Sequence, residues 1–206
     1  LYDSKSGERG IFNRVASQKM ATRSGRRDGD HEFGTNPCSE IVLRNKQTCN
    51  LSEVVVRPSD KIEDLKKKVE IATIFGTLQS TLTNFRYVTK KWKENTEEER
   101  LLGVSLTGIM DHKILSGEIF NKQVLKDMLI ELKEHAIKVN KEWADKLGIN
   151  QSTAITCVKP SGTVSQLVDS ASGIHPRYSS YYLRTVRADK KAVSYTHLTL
   201  PTISCV

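Results

Sequence analysis

Paired cysteines are missing. The chain has four, Cys38, Cys49, Cys157 and Cys205, and no two form a C-x-x-C pair. A structural zinc site is therefore not expected, and no metal ligands are assigned. No charged, apolar, small-residue leader opens the chain. That argues against a secreted disulfide scaffold and for reduced thiols in the cytoplasm. No apolar run approaches the ~20 residues of a membrane-spanning helix, so no membrane partner is expected. Internal repeats are also absent. Acid is short relative to base, with 24 Asp+Glu against 32 Lys+Arg and a formal charge of +8. Such a balance suits nucleotides or other phosphorylated partners, and equally a solvated lysine-rich surface. The 206 residues are 37% hydrophobic and 27% charged, enough for a globular domain with a core. The start at Leu1 reads as a cut into a longer protein.

The end of the chain lacks charge altogether. "VSYTHLTLPTISCV", residues 193–206, holds no Lys, Arg, Asp or Glu, although "YLRTVRADKK" before it is strongly basic. Its first ten residues match a translated sequencing adapter in one frame. Residues 193–206, Cys205 included, are expected to be a non-native tail, and residues 1–192 carry the fold.

What is present alternates strand and helix. Residues 17–32, around "RSGRRDGD", read as a long basic loop. Residues 40–43 and 51–56 are β-rich runs on either side of "RNKQTCN". Asp60 with Glu63 suggests a capping box. Ile62, Leu65, Val69, Ala72, Phe75, Leu78, Leu82 and Phe85 follow at helical spacing, which makes the aromatic positions core candidates. Residues 93–100 suggest a further helical piece, while 101–111 fit a buried helix or strand. Asn121 is placed to cap a helix whose apolar face runs through Val124, Leu125, Met128, Leu129, Leu132, Ala136, Val139 and Trp143. Gly148 stops that helix, and His135 beside its face reads as structural. "TAITCV", 153–158, suggests a strand that buries Cys157. "KPSGTVS", 159–165, suggests a turn opening a helix. Residues 173–187 read as irregular, then extended and basic. The expected class is α/β.

Three polar groups stand out in "GTNPCSEI". Asn36, Cys38 and Glu40 occupy every second position. In an extended chain they would share one face at intervals of roughly 6–7 Å. Pro37 removes a backbone donor, which favours a short finger over a central strand. A loop with one free cysteine fits the stretch equally well. Cys49 follows Cys38 by eleven residues, and a fold-back of the chain could bring the thiols near each other. The Ser-Gly-Thr turn after Lys159 could aim N–H groups and hydroxyls at a phosphate, or be a plain turn.

Taken together, "GTNPCSEI", "CNLSEVVV", "TLTNFRY", "EERLLGVSLTGIMD" and "VKPSGTVSQLVDSASGIHPRY" resemble the catalytic subunit of ribonucleotide reductases. The cysteine interval and the P-S-G-T turn look most like the adenosylcobalamin-dependent (class II) branch. The resemblance implies part of a ten-stranded α/β barrel with a central finger loop. It implies a radical cysteine at Cys38 that removes the substrate's 3′ hydrogen. Glu40 would be the base on the 3′-OH, and Asn36 would hold the ribose hydroxyls. Cys49 would be one of two reducing cysteines, its partner lying upstream of these residues. Ser161, Gly162, Thr163 and Val164 would bind substrate phosphate, with Lys159 adjacent. The implied cofactor is adenosylcobalamin. The implied partners are a ribonucleotide, with triphosphates favoured, a thioredoxin-like or other dithiol reductant, and allosteric nucleotides bound outside these residues. An iron-dependent class I large subunit is the nearest alternative. A basic nucleic-acid-binding module, fed by "SGRRDG" and "YYLRTVR", is a remoter one, because no nucleic-acid motif is evident.

Overall fold

Two short runs, one half-buried and one almost wholly buried, pair at the centre of the chain. In a computed structural model, residues 2–3, 10–23, 25–119, 121–183 and 185 are described. The elements are α1 (Arg14–Arg23), β1 (Gly34–Thr35), β2 (Val42–Leu43), β3 (Asn50–Val55), α2 (Ile62–Gln79), α3 (Lys90–Glu99), β4 (Leu102–Thr107), a 3-10 turn (Ile109–Asp111), α4 (Lys122–Leu147) and α5 (Val164–Leu167). The tail expected at 193–206 lies outside the described residues.

β3 and β4 pair in parallel, from Asn50 opposite Leu102 to Val55 opposite Thr107. Parallel neighbours need a long crossover, and α2 and α3 supply it. A third parallel segment joins β4 through Val104 and Thr156. Its ladder includes Val104 N–H to Ile155 O at 2.8 Å and Cys157 N–H to Val104 O at 3.1 Å. Leu102, Val104, Val54 and Ile155 pack with Leu65, Val69, Leu132 and Ala136. One sheet face is thus sealed by α2 and α4. By strand alternation, Leu51, Glu53, Gly103 and Ser105 face the other way.

The helix ends follow local chemistry. Asn121 accepts hydrogen bonds from the N–H groups of Gln123 and Val124, and Gly148 ends α4 at φ 64°. The cap of α2 falls one residue later than Asp60 and Glu63 suggest. Asp64 accepts the Lys61 N–H at 3.0 Å, while Asp60 accepts that of Arg57 at 2.8 Å.

Expectations for three helices are corrected. Residues 17–23 belong to α1 rather than a loop. Asn13 Oδ1 caps this helix by accepting the Ala16 N–H at 2.9 Å, and its polar composition disguised it. Phe75 is 66% exposed rather than in the core. The buried arc of α2 runs instead through Leu65, Val69, Ala72, Thr73, Gly76 and Thr77, because Leu102 and Asn140 press on its small residues. The helix also stops at Gln79, leaving Leu82 and Phe85 beyond it. On α4, Val124 and Leu129 lie outside the buried stripe. His135 sits with Nε2 3.3 Å from Glu70 Oε2, in keeping with a structural role.

A buried ion pair holds the segment before β3 to the end of α3. Arg27 donates to both Glu99 oxygens, at 2.9 and 2.8 Å, and to Val42 O at 2.8 Å. Gln47 donates to Glu99 and to Asn95 O. The Arg27 guanidinium also stacks 4.6 Å from the centre of the Phe33 ring. Both charged side chains are 5% exposed, so neither charge can fall back on water. Arg27→Met should lower the unfolding free energy by roughly 3–5 kcal/mol by stranding the Glu99 carboxylate. Arg27→Met/Glu99→Met should lose less, since no charge stays buried. Urea denaturation of the two variants measures the difference.

Candidate functional site

Asn36, Cys38 and Glu40 do not lie along an extended face. β1 and β2 pair antiparallel, Gly34 with Leu43 and Thr35 with Val42, and the chain between them turns back. Ser39 N–H reaches Asn36 O at 3.0 Å, closing a β-turn with Pro37 at its second position, where its fixed φ fits. Ser39 takes φ 62°. Asn36 Oδ1 accepts the Ile41 N–H at 3.0 Å, so this side chain braces the hairpin. The every-second-residue pattern is therefore a turn, with the Cys38 thiol exposed at its tip.

Glu40 points away from that tip. Its Oε2 has almost no exposed area and accepts no hydrogen bond among the described residues. Its charge bears on two other thiols. Burial, and then the Glu40 carboxylate, push the Cys49 thiol above its ordinary range. The Cys157 thiol is pushed up to about 12, chiefly by burial, then by Glu40 and Cys49, with Lys159 and a Ser105 hydrogen bond opposing. Both thiols therefore hold their protons at neutral pH.

Gly103 is where these parts meet. A Cβ there would collide with Leu51 Cδ2 and stand 3.0 Å from Ile41 Cδ1 and 3.1 Å from Cys157 Sγ. Only a bare backbone admits hairpin, β3 and thiol to the same spot. Cys157, expected to be buried, is half-buried, and its thiol is influenced by Glu40, Cys49 and Lys159. Its signal in the sequence is the two-residue spacing to Lys159. Glu53 was missed as well, although Cys49, Leu51 and Glu53 stand at i, i+2 and i+4 of one strand run.

The 159–164 turn is held from two sides. Ser105 Oγ accepts the Lys159 N–H at 2.9 Å. Ser161 is buried, and Gly162 adopts φ 61°. Thr163 precedes the four-residue α5, with Val164 at its start. Beyond α5, Arg177 donates to both Asp111 oxygens, at 3.0 and 3.1 Å, and to Asp169 at 2.7 Å. Those bonds, Asp111 first, hold the Arg177 guanidinium still more firmly protonated. Gly173 then lies against Lys159 O. No hydrogen bond or ion pair among the described residues links the hairpin tip to this turn. No helix among the described residues is long and apolar enough to cross a membrane.

The chain is similar to known proteins over most of its length. Residues 29–135 match the family model described as ribonucleotide reductase, barrel domain. The adenosylcobalamin-dependent ribonucleoside-triphosphate reductase of Lactobacillus acidophilus is 31% identical over 88% of this chain and 27% of its own. The protein of the same name from Lactobacillus leichmannii is 30% identical over 78% of this chain and 24% of its own. A crystal structure of a B-12 dependent (class II) ribonucleotide reductase superposes with a TM-score of 0.59 and 28% identity, covering 73% of this chain and 23% of that one. The chain thus spans about a quarter of the length of these relatives.

Exposure and thiol acidity set an order of reactivity. With iodoacetamide at about pH 8, Cys38 should be alkylated first and Cys157 last. Since the Cys157 thiol loses its proton only near 12, its rate should climb roughly tenfold per pH unit from about 8 to 11. Peptide-resolved mass spectrometry follows each cysteine, and equal rates for Cys38 and Cys157 would contradict this arrangement.

Proposed function

Because the chain belongs to the ribonucleotide reductase barrel family, we propose that it carries the radical and reducing residues of a class II enzyme. That enzyme converts ribonucleotides, favouring triphosphates, to 2′-deoxyribonucleotides. The observation that carries this reading is the grouping of the Glu40 carboxylate with the Cys49 thiol, Glu40 standing two residues along the chain from the exposed Cys38. The names of the relatives favour cobalamin over an iron-bearing partner. Cys38 fits such a cofactor, because its thiol stands at the tip of the turn that Asn36 and Ser39 close. Bound adenosylcobalamin would supply the radical that accepts the hydrogen atom of this thiol, which leaves a thiyl on Cys38.

The residues then divide the work. The Cys38 thiyl takes the 3′ hydrogen atom, and Glu40 accepts the 3′-OH proton. Cys49 gives its proton to the departing 2′-OH, which leaves as water. Two electrons come from Cys49 and a second thiol outside these residues, which end as a disulfide, and the hydrogen of that second thiol is the one that replaces the 2′-OH on C2′. Cys38 returns the hydrogen atom to C3′. A thioredoxin-like or other dithiol reduces the disulfide. Asn36 spends Oδ1 on its own hairpin, which leaves its Nδ2 donors for a ribose hydroxyl. Ser161, Gly162, Thr163 and Val164 receive the phosphates. Residues 1–192 form the barrel piece and 193–206 a non-native tail. A source transcript with an uninterrupted native frame through the tail would overturn that division.

In the enzyme extended to the length of its relatives, Cys38→Ser should abolish turnover while leaving nucleotide affinity nearly unchanged. Cys49→Ser should still form a radical, seen by electron paramagnetic resonance, yet fail to sustain turnover. Multiple turnover by either variant removes that cysteine from its role. Activity only with an iron-type radical subunit, and none with adenosylcobalamin, would overturn the class II assignment.

Gly162 yields a separate expectation. Its φ of 61° disfavours a β-branched side chain by about 1–2 kcal/mol. Gly162→Val should weaken a nucleotide several-fold and the matching nucleoside hardly at all, as calorimetry would show.

A further inference from the structure

The 159–164 turn has little positive charge of its own. α5 is four residues long, so few peptide dipoles line up behind the turn. Thr163 makes no side-chain cap. The cation within the turn is Lys159, and it is already engaged. Its Nζ lies 3.6 Å from Glu53 Oε1 and donates to Pro160 O at 3.0 Å. The other oxygen of that carboxylate, Glu53 Oε2, accepts from Ser161 Oγ at 3.5 Å. Ser161 is 3% exposed and the Glu53 side chain 12%, so water screens neither well.

The strand register explains why one carboxylate reaches both residues. Glu53 stands opposite Ser105, and Ser105 Oγ holds the Lys159 N–H at 2.9 Å. Lys159 is thus fixed to the sheet through its backbone and through its ammonium. Glu53 Oε1 has almost no exposed area and accepts no hydrogen bond among the described residues. Oε1 thus faces the Lys159 ammonium at ion-pair range without a hydrogen bond, beside the turn read as the phosphate site.

We propose that Glu53 is a counter-charge built into the phosphate turn: it holds Lys159 and Ser161 where a phosphate chain meets them and, by competing for the ammonium, weakens that chain's binding. The inference rests on the reading of 159–164 as the substrate-phosphate turn. It has a chemical rationale. The deoxynucleotide product keeps the phosphate chain of the substrate, so affinity for phosphate is the same before and after reaction. Such uniform binding slows release without speeding chemistry. A fixed negative charge beside the turn limits it.

The test is calorimetric titration of the full-length enzyme with a ribonucleoside triphosphate, the matching nucleoside and inorganic tripolyphosphate. Gly162→Val, titrated in parallel, identifies binding at the turn, because only that binding should weaken. Glu53→Gln should tighten the triphosphate and tripolyphosphate by about 5- to 30-fold and leave the nucleoside unchanged. The gain should collapse at about 0.5 M salt. It should also vanish in a Lys159→Met background, because the carboxylate acts through that ammonium. Glu53→Asp, which draws the carboxylate back by one methylene, should shift affinity the same way by less, and it serves if Glu53→Gln does not fold. Unchanged or weaker tripolyphosphate binding overturns the proposal, as does an equal gain without Lys159. Tighter tripolyphosphate binding in an enzyme that never reduces ribonucleotides with adenosylcobalamin would keep the counter-charge and discard the reductase reading. Reduction with no effect at Glu53 would do the reverse.

Discussion

The buried pair of Arg27 and Glu99 is the constraint on which the rest depends. Two charges at 5% exposure are tolerated only because each is met by several partners. Those partners come from distant parts of the chain: the Val42 carbonyl beside the hairpin, Gln47 in the connection, and the last turn of α3. The pair therefore decides where the hairpin bearing Cys38 leaves the body of the protein. It also decides how the chain enters β3, because Gln47 lies two residues before Cys49.

From that anchor the parallel strands divide the molecule into a dry face and a polar face. Leu102, Val104 and Val54 turn toward α2 and α4 and bury apolar area. Leu51, Glu53, Gly103 and Ser105 turn the other way and meet the hairpin and the 157–161 segment. Lys159 and Ser161 follow the carboxyl end of the third parallel segment. The Asp111–Arg177–Asp169 cluster closes the far side, so the turn is gripped between β4 and the loop after α5.

Local rules were legible wherever the deciding partner is near in sequence. Asn121 and Gly148 bound α4 because a cap and a left-handed stop act within a few residues. The apolar periods of α2 and α4 were readable for the same reason. Failures came where a local pattern admits two solutions. Alternation through Asn36, Cys38 and Glu40 fits a strand, but Pro37 and the Asn36 amide close a turn instead. The helix at 14–23 buries no residue, so no apolar stripe announced it.

Residue identity alone determined which groups could do chemistry: a thiol and a carboxylate two apart, a second thiol eleven residues on, and a Ser-Gly-Thr turn behind a lysine. Those are covalent facts, independent of conformation. Only tertiary structure decided which of them act on one another. Glu40 bears on Cys49 and Cys157, and Glu53 binds Lys159 across 106 positions of chain. Such pairings arise when parallel strands bring remote segments within about 5 Å. Electrostatics between half-buried groups depends on that distance and on the loss of water around them.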